Sequence, residues 1–136
     1  MATNKEIIDN LIKSYWMEIE TVTNYLSNSV NLDGVRAEEI KKSLAKRIKE
    51  IGGSVPGSMN FKPEQKYLQT LKDTTDVATV IEGVIEAEKG AIEQYKKIIR
   101  LCEGEDYVTQ DLCVKLLGME ESHKIEFDGF LKEYKK

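Results

Sequence analysis

The chain carries a single histidine, His123, with Glu120 three residues before it. On a helix, positions i and i+3 share a face, so this pair offers a carboxylate oxygen and an imidazole nitrogen to one metal ion. Taken alone the spacing is weak, because a glutamate-rich chain often places a Glu there by chance. The surrounding pattern gives it weight. Thr109, Cys113, Leu116, Glu120, His123, Phe127, Phe130 and Tyr134 follow alternating steps of four and three, the core-facing stripe of a bundle helix. Charged side chains are almost never fully buried unless paired or ligated, so a Glu and a His set in that stripe need a partner.

Two other stripes each contain one glutamate. The first runs Ile8, Leu11, Tyr15, Glu18, Val22, Tyr25, Ser29, and the second Val77, Ile81, Val84, Glu88, Ala91, Tyr95, Ile98, Cys102. Glu20 and Glu86 fall off them. Tyr25 and Tyr95 each lie seven residues after a stripe glutamate, two turns along the same face, where a hydroxyl can reach a carboxylate on a neighbouring helix. A single glutamate in such a seam is commonly a satisfied polar residue. Three on three helices, together with His123, favour metal binding. Carboxylates with one imidazole suit iron or manganese, with zinc next. Facing helices with one Glu each and Glu-x-x-His pairs build a di-iron carboxylate site. The bland readings are that the tyrosines are plain core, that Cys102 and Cys113 are small buried hydrophobes, and that Trp16 packs or forms an oligomer contact.

The elements that must position these residues follow from start and stop signals. Thr3 and Glu6 form a capping box opening a helix over 4–30. Asn31 to Gly34 is a turn. A second helix over 35–51, with Ala37, Ile40, Leu44, Ile48 and Ile51 as its stripe, stops at Gly52-Gly53. Ser54 to Lys72 holds both prolines and reads as a long connection with one helical turn at 64–71. Asp73 caps a third helix over 73–103, closed by Gly104. Glu105 and Asp106 open a fourth over 106–134, where acids suit the positive end of the helix dipole. Two short links and one long one give an all-α four-helix bundle with one long crossover between the second and third helices.

The 136 residues suit one domain spanning 1–136. A net charge of -4 argues against nucleic acid as a partner. No apolar run approaches the roughly 20 residues of a membrane span. The two cysteines are too few and too far apart for a zinc or redox Cys-x-x-Cys motif. The N-terminus reads as neither signal peptide nor basic arm, and the two cysteines read as reduced thiols of a cytosolic protein, so a cytoplasmic location is expected.

In Glu18-Ile-Glu-Thr-Val-Thr-Asn-Tyr25, Ala87-Glu88-Lys-Gly-Ala-Ile-Glu-Gln-Tyr95, Asp106-Tyr-Val-Thr-Gln-Asp-Leu112 and Glu120-Glu-Ser-His123, the chain resembles the ferritin-like superfamily, bacterioferritins and Dps-like ferritins in particular. The resemblance covers most of the chain. It implies an up-down-down-up bundle that assembles into cages, binds two irons and oxidises Fe(II). By resemblance Glu18 and Glu88 are terminal ligands, Glu120 bridges the metals and His123 binds one of them. The chain departs from the pattern in its second helix. The family's own Glu-x-x-His pair there falls on Ala37 and Ile40, neither of which binds metal. That helix has about 17 residues against about 27 in the first, roughly 15 Å shorter at 1.5 Å per residue. The haem methionine position is Glu38, so no haem is expected.

These readings give two expectations. One is an iron-binding protein of the ferritin type, with ferroxidase chemistry if a complete dimetal site forms. Its metal ligands are Glu18, Glu88, Glu120 and His123, supported by Tyr25 and Tyr95, and a subunit with half its site missing holds at most one metal well. The other is a ferritin-like scaffold or oligomerisation module without metal chemistry. A homo-oligomer is expected in both, because a shortened second helix exposes the seams of the other three.

Overall fold

The helices start and stop where local chemistry dictates. Thr3 Oγ1 accepts from the Glu6 amide at 3.1 Å and the Glu6 carboxylate accepts from the Thr3 amide at 3.3 Å. This reciprocal cap, worth about 1 kcal/mol, opens α1, Asn4–Ser27. Helix α2, Gly34–Glu50, ends where Gly52 takes φ +89°, a left-handed turn that strains any residue with a Cβ. The Gly53 amide then returns to the Ile48 carbonyl at 2.8 Å. A Cβ on Gly53 would stand 2.8 Å from methyls of Ile48 and Ile8, so only glycine lets the chain pass here. After a short 3-10 turn, Ser58–Asn60, α3 covers Val77–Cys102 and α4 Tyr107–Tyr134. Gly104, at φ +74°, makes the tight link between them.

This computed structural model describes residues 2–27, 34–66, 69, 72, 73 and 75–135, with the side chains of 25–27 and 34–38 excepted. Among the described residues there is no strand, and no helix is long and apolar enough to cross a membrane. Asn4 on α1 bonds the Ile51 carbonyl, Asn10 meets Gln94 of α3, and Arg47 of α2 meets Asp106. The N-termini of α1 and α4 therefore share one end of the bundle with the C-termini of α2 and α3. That is an up-down-down-up four-helix bundle with one long crossover.

The core has two apolar parts. The larger joins all four helices through Leu11, Ile40, Leu44, Ile48, Ile98 and Leu116, with Cys102 and Cys113 as fully buried free thiols. Burial pushes those thiols up to about 11 and about 12, so they pack as small hydrophobes. The smaller part lies towards the other end, with Ile81, Val84, Ile85 and Ala87 of α3 around Phe127 of α4. At the glycine-turn end, Arg47 donates to Thr109 Oγ1 at 2.7 Å and pairs with Asp106 at 2.8 Å, fastening α2 to the start of α4.

Several expectations need correction. Asp76, not Asp73, caps α3, accepting from the Thr79 amide at 3.1 Å, while Asp73 closes its own small turn with Thr75. The buried line of α1 is Ile7, Leu11, Ser14 and Glu18, and Ile8, Tyr15 and Val22 are only half-buried. Val77, Phe130 and Tyr134 extend their stripes in sequence but stand exposed at the helix ends. Residues 64–66 are not helical. The rest of the expected turn at 64–71, apart from Gln69, lies outside the described residues, as do positions 28–30 of the first helix and the turn at 31–33.

Candidate metal centre

Between the two apolar parts the bundle is crossed by a polar layer. Helix α1 contributes Glu18, α3 contributes Glu88, and α4 contributes Glu120 with His123 one turn on. The three glutamates are each 4% exposed and His123 3%. Side chains with charge are this deeply enclosed only when something offsets their lost hydration. One ligand atom from each of Glu88, Glu120 and His123 lies within 4.8 Å of the others. His123 Nδ1 stands 3.5 Å from Glu120 Oε2 and 3.9 Å from Glu88 Oε1. The antiparallel α3–α4 hairpin thus turns two carboxylates and an imidazole towards one point.

Glu18 is held differently. The Tyr95 hydroxyl donates to its Oε1 at 2.9 Å, from α3 to α1. Burial pushes the Glu18 carboxyl up to about 7, and the nearby Glu88 charge adds to this, against the hydrogen bonds with Tyr95 and Glu120. Burial, together with the charges of Glu18 and Glu120, raises the Tyr95 phenol well above its ordinary range.

Helix α2 adds apolar packing next to this layer. Ile40 of α2 is 2% exposed and packs in the cluster that contains Leu11, Tyr95 and Leu116. Glu39 is exposed, and the side chains of Ala37 and Glu38 lie outside the described residues, as does that of Tyr25. Among the described residues α2 offers no ligand to the layer.

Sequence reasoning left Glu20 off the α1 stripe, yet it is 4% exposed. Its carboxylate accepts from the backbone amides of Glu64 and Gln65, both at 2.7 Å. No periodicity signals this, because its partner is the crossover rather than a helix. Trp16 also meets the crossover, edge-on against Phe61 at 4.9 Å between ring centres.

Two carboxylates and an imidazole converging in an enclosed layer match the donor set of divalent first-row ions such as iron or manganese, so the residues present fit a metal. Residues 37–136 match the ferritin-like domain, and the chain belongs to the ferritin-like family. Its fold is similar to that of the Desulfovibrio desulfuricans bacterioferritin, whose diiron site is described in different catalytic states. The TM-score is 0.80 at 20% identity, over 97% of this chain and 81% of that one. The Rhodobacter capsulatus bacterioferritin, described with a metal-free dinuclear site and haem iron, gives a TM-score of 0.81 at 15% identity, over 99% and 89%. A dodecameric thioferritin from Bacteroides fragilis gives 0.86 at 19%, over 98% and 88%. No curated protein sequence matches the chain.

Proposed function

We propose that this chain is an iron-binding ferritin-like protein whose subunit holds one divalent metal through Glu88, Glu120 and His123. The observation that carries the proposal is the convergence of those three ligand atoms within 4.8 Å inside a layer that is otherwise core. Glu18 is a weaker, outer partner, oriented by Tyr95. Iron is the metal favoured by the donor set, with manganese and zinc as alternatives, and the diiron site of the D. desulfuricans relative supports the same choice. When bound, iron supplies redox chemistry. The residues supply enclosure and orientation. Fast ferroxidase-type oxidation needs a second ion close by, and among the described residues one ligand cluster is found. The proposed role is therefore binding rather than rapid oxidation. Haem is not part of the proposal, since Met59, in the crossover, is 96% exposed.

Self-assembly completes the reading. Tyr107, Val108 and Ile125 are each more than half exposed on α4, and the B. fragilis relative is dodecameric. Metal analysis of protein purified with iron present tests the binding claim: about one equivalent per chain is expected, falling to background in His123→Ala. A second reading, a scaffold without metal chemistry, is favoured by Ile40 and by the Glu18–Tyr95 bond, which satisfies part of the layer without an ion. Background metal in both proteins would leave that reading standing.

A further inference from the structure

We infer that Glu20 is a positioning residue for the metal centre, acting through Glu18 by clamping α1 to the crossover; this rests on the metal reading above. Two residues apart on a helix, Glu18 and Glu20 point about 200° apart, one into the bundle and one out of it. On the inner side the Tyr95 hydroxyl grips Glu18 at 2.9 Å. On the outer side the crossover grips α1 at the same level. Glu20 Oε1 accepts from the Glu64 amide and Oε2 from the Gln65 amide, each at 2.7 Å. Gln65 Nε2 in turn donates to the Met17 carbonyl and Thr21 Oγ1, both at 3.3 Å, and Lys13 pairs with Glu64 at 3.6 Å.

Only a carboxylate fits this arrangement. Two successive backbone amides each need an acceptor, and one ionised carboxylate satisfies both with short, charge-assisted bonds. Glutamine has a single acceptor oxygen and leaves one amide without it; alanine leaves both. The consequence reaches the centre because a helix that loses its outer grip can roll. Side-chain ends lie about 6 Å from the axis, so a roll of about 10° carries the Glu18 carboxylate about 1 Å, enough to spoil its approach to the Glu88–Glu120–His123 cluster.

The test is a double-mutant cycle on Co(II) affinity, followed by absorption, in wild type, Glu20→Gln, Glu18→Gln and the double variant. Glutamine keeps the side chain's size, and circular dichroism confirms that each variant is folded. Glu20→Gln should weaken Co(II) by about threefold to tenfold, and should have almost no further effect once Glu18 is glutamine. Equal losses in both backgrounds, or no loss in wild type, would overturn the inference. A second readout needs no metal. In protein labelled with 3-fluorotyrosine, the Tyr95 fluorine resonance, assigned by its loss in Tyr95→Phe, should shift in Glu20→Gln. An unmoved resonance would overturn the clamp. Co(II) binding absent from wild type, with the resonance still shifting, would overturn the metal reading and leave the clamp supported.

Discussion

Among the described residues the polar layer draws unequally on the helices: α3 and α4 supply three of its ligand-type side chains and α1 supplies one. The α3–α4 pair brings together Glu88, Glu120 and His123. Helix α1 brings Glu18, tied to Tyr95, and Ile40 of α2 packs in the larger apolar cluster. Under the proposal of a single ion, packing asks only for shape at Ile40, whereas ligation asks for a donor atom at Glu88, Glu120 and His123. The α3–α4 pair is a tight hairpin joined at Gly104. Helices α1 and α2 pack on each other and are further tied to the crossover at Glu20 and to α4 at Arg47.

The sharpest way to break this comparison is His123→Ala. It removes the only nitrogen ligand of the α3–α4 pair and should weaken Co(II) by about 100-fold or more, measured by calorimetric titration. An effect under about threefold would place the ion elsewhere.

The second prediction concerns pH in the metal-free protein. Glu18 has its folded pKa raised from 4.5 to about 7. Its stabilising contribution is thus full below pH 4.5 and is lost as pH rises through 7. Wild type should lose on the order of 2–3 kcal/mol between pH 5 and pH 8 relative to Glu18→Gln, read by urea unfolding at each pH. Parallel pH profiles for the two proteins would contradict the assignment.

In Co(II) titrations, Glu18→Gln should cost about tenfold, clearly less than His123→Ala. Equal losses would mean that α1 and the α3–α4 pair share the ion evenly. The smallest effect is expected from Arg47→Lys. It loses one of two hydrogen bonds joining α2 to α4, about 1 kcal/mol in thermal unfolding, and should leave Co(II) affinity within about twofold. A larger change in affinity would show that α2 takes part in the centre after all.

What could be read from the sequence divides along the same line. A glutamate interrupting an apolar stripe is visible because burial of a charge violates the pattern, and so the burial of Glu18, Glu88, Glu120 and His123 is legible in the sequence. The seven-residue spacing points to Tyr95, and its hydroxyl bonds a carboxylate across helices. Glu20 was passed over because its partners are backbone amides of an aperiodic segment. Helix α1 packs on α2, α3 and the crossover, so its apolar residues occupy more than one face; the stripe drawn through Ile8 and Tyr15 missed the buried line through Ile7 and Ser14. Asp73 and Asp76 are chemically equivalent as caps. The choice between them rests on Thr75, which engages Asp73 in a local turn and leaves the Thr79 amide to Asp76. Phe130 and Tyr134 keep the spacing of α4 near its end, where Phe130 is 37% and Tyr134 58% exposed. Periodicity reports a face and not what covers it.

The most direct test of this unequal supply of ligands is the number of metals that one chain holds. Anaerobic titration of the wild-type protein with Fe(II), with Co(II) as a spectroscopic substitute, should reach its break at one equivalent per chain, and the break should vanish in His123→Ala. A break at two tight equivalents per chain would contradict the account, because Glu88, Glu120 and His123 account for one ion only.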